Sequence, residues 1–144
     1  MTDHYPMPAF PTLWVKDVMI SSKWYQRVAG FQVVFELPGP DRRLRLAHVR
    51  RGKYQDIMLV ADPPGFNVSP EYRGRGVTLT FAIDEDLESF ANQARERGGN
   101  ILAGPGDQTW NAREIIMSDP DGYRLIFSKR SAVVKTDEDF IDVE

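Results

Sequence analysis

The feature that most constrains this chain is an order of elements that occurs twice. Apolar patterning, glycines and turn residues predict strand, helix, strand, strand, strand over residues 10–61, and the same order again over 77–128. In the first run, 10–17 is β-rich with Pro11 near its start and reads as an edge or entry strand. Residues 18–29 follow as a helix, with Ile20, Trp24 and Val28 at i, i+4 and i+8 on one face and Gly30 as the stop. A strand over 31–37 leads through Pro38-Gly39-Pro40-Asp41 into a hairpin of 44–50 and 56–61. In the second run, 77–83 is a strand and 85–97 a helix whose stripe is Leu87, Phe90, Ala91 and Ala94. Gly98-Gly99 ends that helix, 100–103 is a short strand, and 103–112 reads as a Gly/Pro-rich loop. A closing hairpin of 114–118 and 123–128 turns at Asp119-Pro120-Asp121-Gly122.

One gap-free offset aligns 10–62 with 78–130. Its identities are few: Thr12/Thr80, Ser21/Ser89, Arg27/Arg95, Gly30/Gly98 and Arg45/Arg113. The repeat rests instead on strand meeting strand and helix meeting helix. The expectation is a duplicated α+β domain over 1–130, with module 1 about 8–62, a Pro/Gly-rich linker at 62–75, module 2 about 76–130, and an acidic tail at 131–144.

Composition narrows the function classes. A chain of 144 residues suits one domain with a core of its own, and 42% apolar with 27% charged residues is ordinary for a globular protein. The absence of Cys excludes a disulfide scaffold, a thiolate zinc site, an iron–sulfur cluster and a cysteine nucleophile. The first ten residues lack the pattern of a signal peptide and no run is long enough to span a bilayer, so a cytoplasmic protein with no membrane partner is expected. The net charge of −3 is concentrated in the tail, where five acidic residues face Lys135 alone. The remainder is close to neutral. Arg42, Arg43, Arg45, Arg50, Arg51 and Lys53 fall in a strand-like stretch and turn without interleaved aromatics, so no nucleic-acid partner is expected.

Two motifs carry a family likeness. VKDVMISSKWYQRVAGFQVVF at 15–35 joins an acidic strand end, a helical Ser, an aromatic–Tyr pair and a Gly-Phe turn. REIIMSDPDGYRLIF at 113–127 is a hairpin around Asp-Pro-Asp-Gly. Together they resemble the vicinal oxygen chelate superfamily of glyoxalases, bleomycin-resistance proteins and dioxygenases, and look most like its metal-free bleomycin-resistance-like branch. The resemblance covers about 8–130. It implies two βαβββ modules forming curled mixed sheets with helices outside and a concave inner cavity, and a homodimer. Activity does not follow, since the superfamily holds lyases, isomerases, transferases, dioxygenases and binding proteins.

Metal-dependent members place His, Gln or Glu near the start of each first strand and in each last strand. Motif matching puts those positions at Phe10, Thr78, Met58 and Ile126. Such side chains offer no imidazole or carboxylate donor, so the expectation is no metal and no cofactor. His4 and His48 fall off these positions, and His48 reads as a satisfied or surface strand residue.

Strand alternation then gives the wall of the cavity. Phe10, Thr12 and Trp14 share one face, as do Thr78, Thr80 and Ala82. Met58 and Val60 join them with Asp56 further along, and Arg124, Ile126 and Ser128 face in from the last strand. Trp110 in its loop lacks a periodic apolar neighbourhood, so it is assigned to ligand contact, dimer packing or loop anchoring. Asp56 and Arg124 occupy equivalent positions and either neutralise one another, sit at the rim, or leave Arg124 to meet a ligand carboxylate or phosphate. The candidate ligand-binding residues are therefore Phe10, Thr12, Trp14, Met58, Thr78, Thr80, Trp110, Arg124 and Ile126. Trp24 belongs to the core by its helical spacing, and Tyr25 carries no assigned role. Asp84, Glu85 and Asp86 read as a helix cap.

The leading expectation is a metal-free protein that binds a small apolar or aromatic organic molecule, such as an antibiotic or metabolite. One alternative is a glyoxalase-like lyase, isomerase or dioxygenase with displaced metal ligands, or without metal and using Asp56 or Glu114 as base. The other is a structural or interaction module whose cavity is filled by its own side chains.

Overall fold

The computed structural model describes residues 6–131. His4 and almost all of the acidic tail lie outside the described residues. Among the described residues, eight strands form two four-stranded mixed sheets accompanied by two helices, and the contacts divide the chain into two units. Unit 1 takes the chain up to Arg75 and, in addition, residues 119–123; unit 2 takes 76–118 and the chain from Arg124 onward.

In unit 1 the elements are β1 (Thr12–Val15), α1 (Val18–Arg27), β2 (Gln32–Pro38), β3 (Leu44–Arg50) and β4 (Asp56–Ala61), with sheet order β1-β4-β3-β2. β1 pairs with β4 in parallel, and the other pairs are antiparallel. Leu13, Val15, Ala47, Val49, Ile57 and Leu59 are buried on the face that α1 covers. In unit 2, β5 (Thr78–Ala82), α2 (Leu87–Glu96), β6 (Asn100–Gln108), β7 (Ala112–Ser118) and β8 (Arg124–Arg130) repeat the plan in the order β5-β8-β7-β6. Phe81, Phe90 and Phe127 meet there, with Phe90 and Phe127 ring centroids 4.7 Å apart. Register repeats along with topology. Thr12 faces Met58 and Trp14 faces Val60 in one sheet, as Thr80 faces Ile126 and Ala82 faces Ser128 in the other.

Both helices start on an aspartate. The Asp17 carboxylate accepts from Ile20 N–H at 3.1 Å, and that of Asp86 from Ser89 N–H at 3.0 Å, as a capping role for the Asp84–Asp86 run requires. The apolar stripe expected on α1 is corrected in part. Trp24 and Val28 are buried, but Ile20 is 60% exposed, and Ser21, Ser22 and Tyr25 occupy the buried face instead. Small hydroxyl side chains let the helix approach its sheet, and Tyr25 is retained there by an acceptor. Its hydroxyl donates to Asp119 at 2.6 Å.

The loop expected over 103–112 is also corrected. β6 runs on to Gln108, and the Gly104-Pro105-Gly106 stretch is accommodated as an irregularity in its pairing with β7. Proline is tolerated because β6 is an edge strand.

Residues 62–75, expected as a linker, are built into unit 1. Arg73 is buried and forks onto Asp62 with distances of 2.7 and 3.0 Å, while also donating to the carbonyls of Trp14 and Val68. The 119–123 turn is nested in the same unit. Asp119 receives the N–H groups of Asp121 and Tyr123, Asp121 accepts from Lys16 N–H, and the Tyr123 hydroxyl donates to Trp14 O. Gly122, at φ 92°, passes so close to Pro70 that a Cβ would lie 2.1 Å from its carbonyl oxygen.

Two outcomes follow for stability. Arg73→Lys keeps the charge but loses the two-pronged contact, and is expected to lower unfolding stability by about 2–3 kcal/mol in a urea titration. Asp119 is the pH-sensitive group. Burial pushes its carboxyl up from 3.8 to about 6, against the opposing hydrogen bonds from Tyr25 and the backbone. An acid whose folded pKa exceeds its unfolded one stabilises the fold at low pH and loses that contribution as pH rises through the folded value. The stability of the native chain minus that of Asp119→Asn should therefore fall by roughly 2 kcal/mol between about pH 4 and pH 6.5 and level off above. A flat difference would contradict the burial account.

Candidate functional site

Each sheet has one face covered by its helix and one helix-free face, and the predicted binding residues distribute over the two helix-free faces. In unit 1, Thr12 and Trp14 project from β1 and Met58 and Val60 from β4 in directly paired rows. Antiparallel pairing extends these rows to β3, where His48 faces Met58 and Leu46 faces Val60. Phe10 is corrected: it precedes β1 and is exposed, and the backbone contact to β4 at this end is made by Pro11, whose carbonyl accepts from Met58 N–H at 3.0 Å.

Trp14 is 42% exposed although it sits in a strand. The Phe66 ring meets it edge-on at 4.9 Å, and the Arg73 guanidinium lies 5.1 Å from the Phe66 ring centre. Its carbonyl is held by Arg73 at 2.8 Å and by Tyr123 at 2.7 Å. The indole is thus an exposed ring on a fixed backbone.

Asp56 does not await a distant cation. His48 Nε2 lies 2.8 Å from its Oδ1 and Arg50 Nε donates to the same oxygen at 2.7 Å. Asp56 and His48 are both buried, so the sequence reading of Asp56 as a cavity charge neutralised by Arg124 or placed at the rim is replaced by a local triad. Sequence reasoning left His48 out of the site. The signal was the hairpin itself: pairing Arg50 with Asp56 across the turn puts His48 opposite Met58, on the binding-face parity.

In unit 2, Thr78 faces Arg124 and Thr80 faces Ile126, and β7 extends those rows to Ser118 and Ile116. Arg124 is exposed, and Ile126 is half-buried. Trp110 stands in the turn after β6, 60% exposed, with its indole N–H donating to Glu114 at 3.1 Å. A cleft of about 390 Å³ opens beneath it, lined also by Ala82, Ala112, Ser128 and Arg130. Glu114, a possible base in the sequence reading, is occupied as the indole's acceptor.

Metal-dependent members of the family that the sequence resembles hold their metal with His, Gln or Glu. Phe10, Met58, Thr78 and Ile126 supply a ring, a thioether, a hydroxyl and an alkyl chain, which do not fit a divalent first-row metal. Among the described residues no group of three or more His, Cys, Asp or Glu is placed to hold one. No described helix is long and apolar enough to cross a membrane.

Known proteins agree with this architecture. Residues 6–127 match the family described as the Glyoxalase/Bleomycin resistance protein/Dioxygenase superfamily. A probable lactoylglutathione lyase from Synechocystis sp. is 24% identical over 112 residues, covering 77% of this chain and 86% of its own. TioX from Micromonospora sp. ML1 superposes with a TM-score of 0.70 at 19% identity, over 90% of this chain and 99% of that one. TnmS3, an antibiotic binding protein from Streptomyces sp. CB03234, gives 0.66 at 23% identity, over 91% and 99%. With its two βαβββ units and that match over most of its length, the chain belongs to the glyoxalase/bleomycin resistance protein/dioxygenase superfamily.

Proposed function

We propose that the protein binds a small, largely apolar or aromatic organic molecule and acts without a resident metal. The observation that carries this reading is the presentation of two tryptophans. Trp14 and Trp110 are both exposed on or beside helix-free sheet faces, and each is fixed by contacts that leave ring surface available. Ring burial contributes in proportion to area, so such walls bind without chemistry. Beside Trp14, Thr12 and Met58 form the neighbouring row of the first sheet's helix-free face; on that of the second sheet, Thr80 and Ile126 supply a row and Thr78 and Arg124 polar handles. Phe10, beside β1, adds an exposed ring. The likeness to an antibiotic binding protein supports a small-molecule ligand.

Val34 on edge strand β2 and Leu102 on edge strand β6 are exposed apolar residues, which supports a homodimer. A cytoplasmic setting accords with the absence of cysteine.

A second reading, an enzyme, is favoured by one observation: an imidazole oriented by a buried carboxylate, His48 on Asp56. The two readings separate in one pair of measurements. Titration of flat aromatic antibiotics, followed by tryptophan fluorescence, should saturate. Trp14→Ala and Trp110→Ala should each weaken binding roughly tenfold, the effect of losing about 60 Å² of contact at ~25 cal/mol per Å². Trp24→Phe, a change in the core, should leave affinity within about twofold. Methylglyoxal with glutathione should show no turnover above the uncatalysed rate. Turnover that needs added metal, or an absence of saturable binding, would overturn the binding reading.

A further inference from the structure

The helix-free face of the first sheet contains a polar cluster that the binding reading has not used. His48, Asp56 and Arg50 lie on adjacent strands β3 and β4, with Arg50 directly opposite Asp56 and His48 directly opposite Met58. Asp56 Oδ1 receives Arg50 Nε at 2.7 Å and faces His48 Nε2 at 2.8 Å. As the ion-pair partner of Arg50, the Asp56 carboxylate is an acceptor only, so the hydrogen in its contact with His48 sits on Nε2. A neutral imidazole protonated at Nε2 presents a lone pair at Nδ1. His48 Nδ1 has no hydrogen-bond partner among the described residues. Nor is it one of the two sealed polar atoms without one, Ser21 Oγ and Arg73 Nε. It therefore reaches the surface of the fold.

We propose that His48 Nδ1 is the hydrogen-bond acceptor for a hydroxyl group carried on an aromatic ring, and that the ligand of this face is a neutral hydroxyaromatic molecule. The inference rests on the binding reading above and adds the chemical class. Three features select that class. The Arg50 and Asp56 charges cancel, so a cationic donor finds no net field to attract it. A ligand carboxylate would bring its own lone pairs against those of Nδ1. The row that contains His48 is Thr12, Met58, His48, Phe35, so the surroundings are a methyl-bearing hydroxyl, a thioether and an exposed ring. Thioether and ring favour an aromatic body. An aryl hydroxyl is a better donor than an alkanol and keeps the donor in the plane of that body.

The test compares 2-naphthol with 2-methoxynaphthalene, which has the same ring but no donor, by nuclear magnetic resonance titration of the full chain. 2-Naphthol should bind about three- to tenfold more tightly, the range for one neutral hydrogen bond. His48→Phe should erase that preference while retaining affinity for 2-methoxynaphthalene. In the native chain labelled with ¹⁵N-histidine, the His48 proton should reside on Nε2, and the Nδ1 resonance should move on adding 2-naphthol. This second measurement decides the matter if the variant does not fold. Equal affinities for the two compounds, or an Nδ1 resonance that does not respond, would overturn this inference and leave the binding reading intact. Binding of neither compound would overturn both.

Discussion

The carbonyl oxygen of Trp14 governs much of the first unit. β1 is an edge strand paired on one side only, so alternate backbone groups of β1 point away from the sheet with no strand to receive them. The Trp14 carbonyl is one of these. It accepts from the Arg73 guanidinium and from the Tyr123 hydroxyl, groups separated from it in sequence by 59 and 109 residues. Arg73 in turn needs Asp62, and Tyr123 stands in the turn whose Asp119 receives Tyr25. A single edge carbonyl that the sheet leaves without a strand partner thus ties together the 62–75 segment, the Asp119 turn and the buried face of α1. The same contacts hold fixed the backbone from which the exposed Trp14 ring projects.

Much of the architecture was legible in the chain because two periodicities alternate on a repeated plan. Strand positions with period two and one helical stripe per unit were enough to give the element order, and β3 and β7 coincide with 44–50 and 112–118 under the same offset that aligns the two halves. Composition misled in one place and spacing in another. Gly104-Pro105-Gly106 has the residues of a loop, yet an edge strand tolerates them since one side of its backbone is unpaired. In α1, apolar spacing put Ile20 on the buried stripe, whereas close approach of helix to sheet favours the small side chains of Ser21 and Ser22 there and leaves Ile20 outside.

The site was legible to a similar depth. Thr12 with Met58, and Thr80 with Ile126, follow from alternation alone and stand in paired rows. Trp110 stood out as an aromatic with no periodic partner, though its indole N–H acceptor, Glu114, is specific to the turn geometry. The triad of His48, Arg50 and Asp56 was harder to find, because each residue in isolation has an unremarkable surface explanation. Only cross-strand register brings them together, and register is a property of two strands. Arg73 was harder still. A buried arginine in a Pro/Gly-rich stretch gives no periodic signal, and its partners are a side chain and carbonyls far from it in sequence.

The placement of residues 119–123 within unit 1 bears on how the chain is made. The Tyr25 hydroxyl finds its acceptor 94 residues downstream, and Lys16 N–H finds Asp121 across 105. During synthesis the first unit therefore waits, its helix face incomplete, until nearly the whole described chain has left the ribosome. For that interval Tyr25 lacks its acceptor and the Trp14 carbonyl has Arg73 as its donor without Tyr123. The two halves, alike in plan, are consequently completed one just after the other: unit 1 closes with the 119–123 turn, and β8, which unit 2 needs between β5 and β7, follows at Arg124.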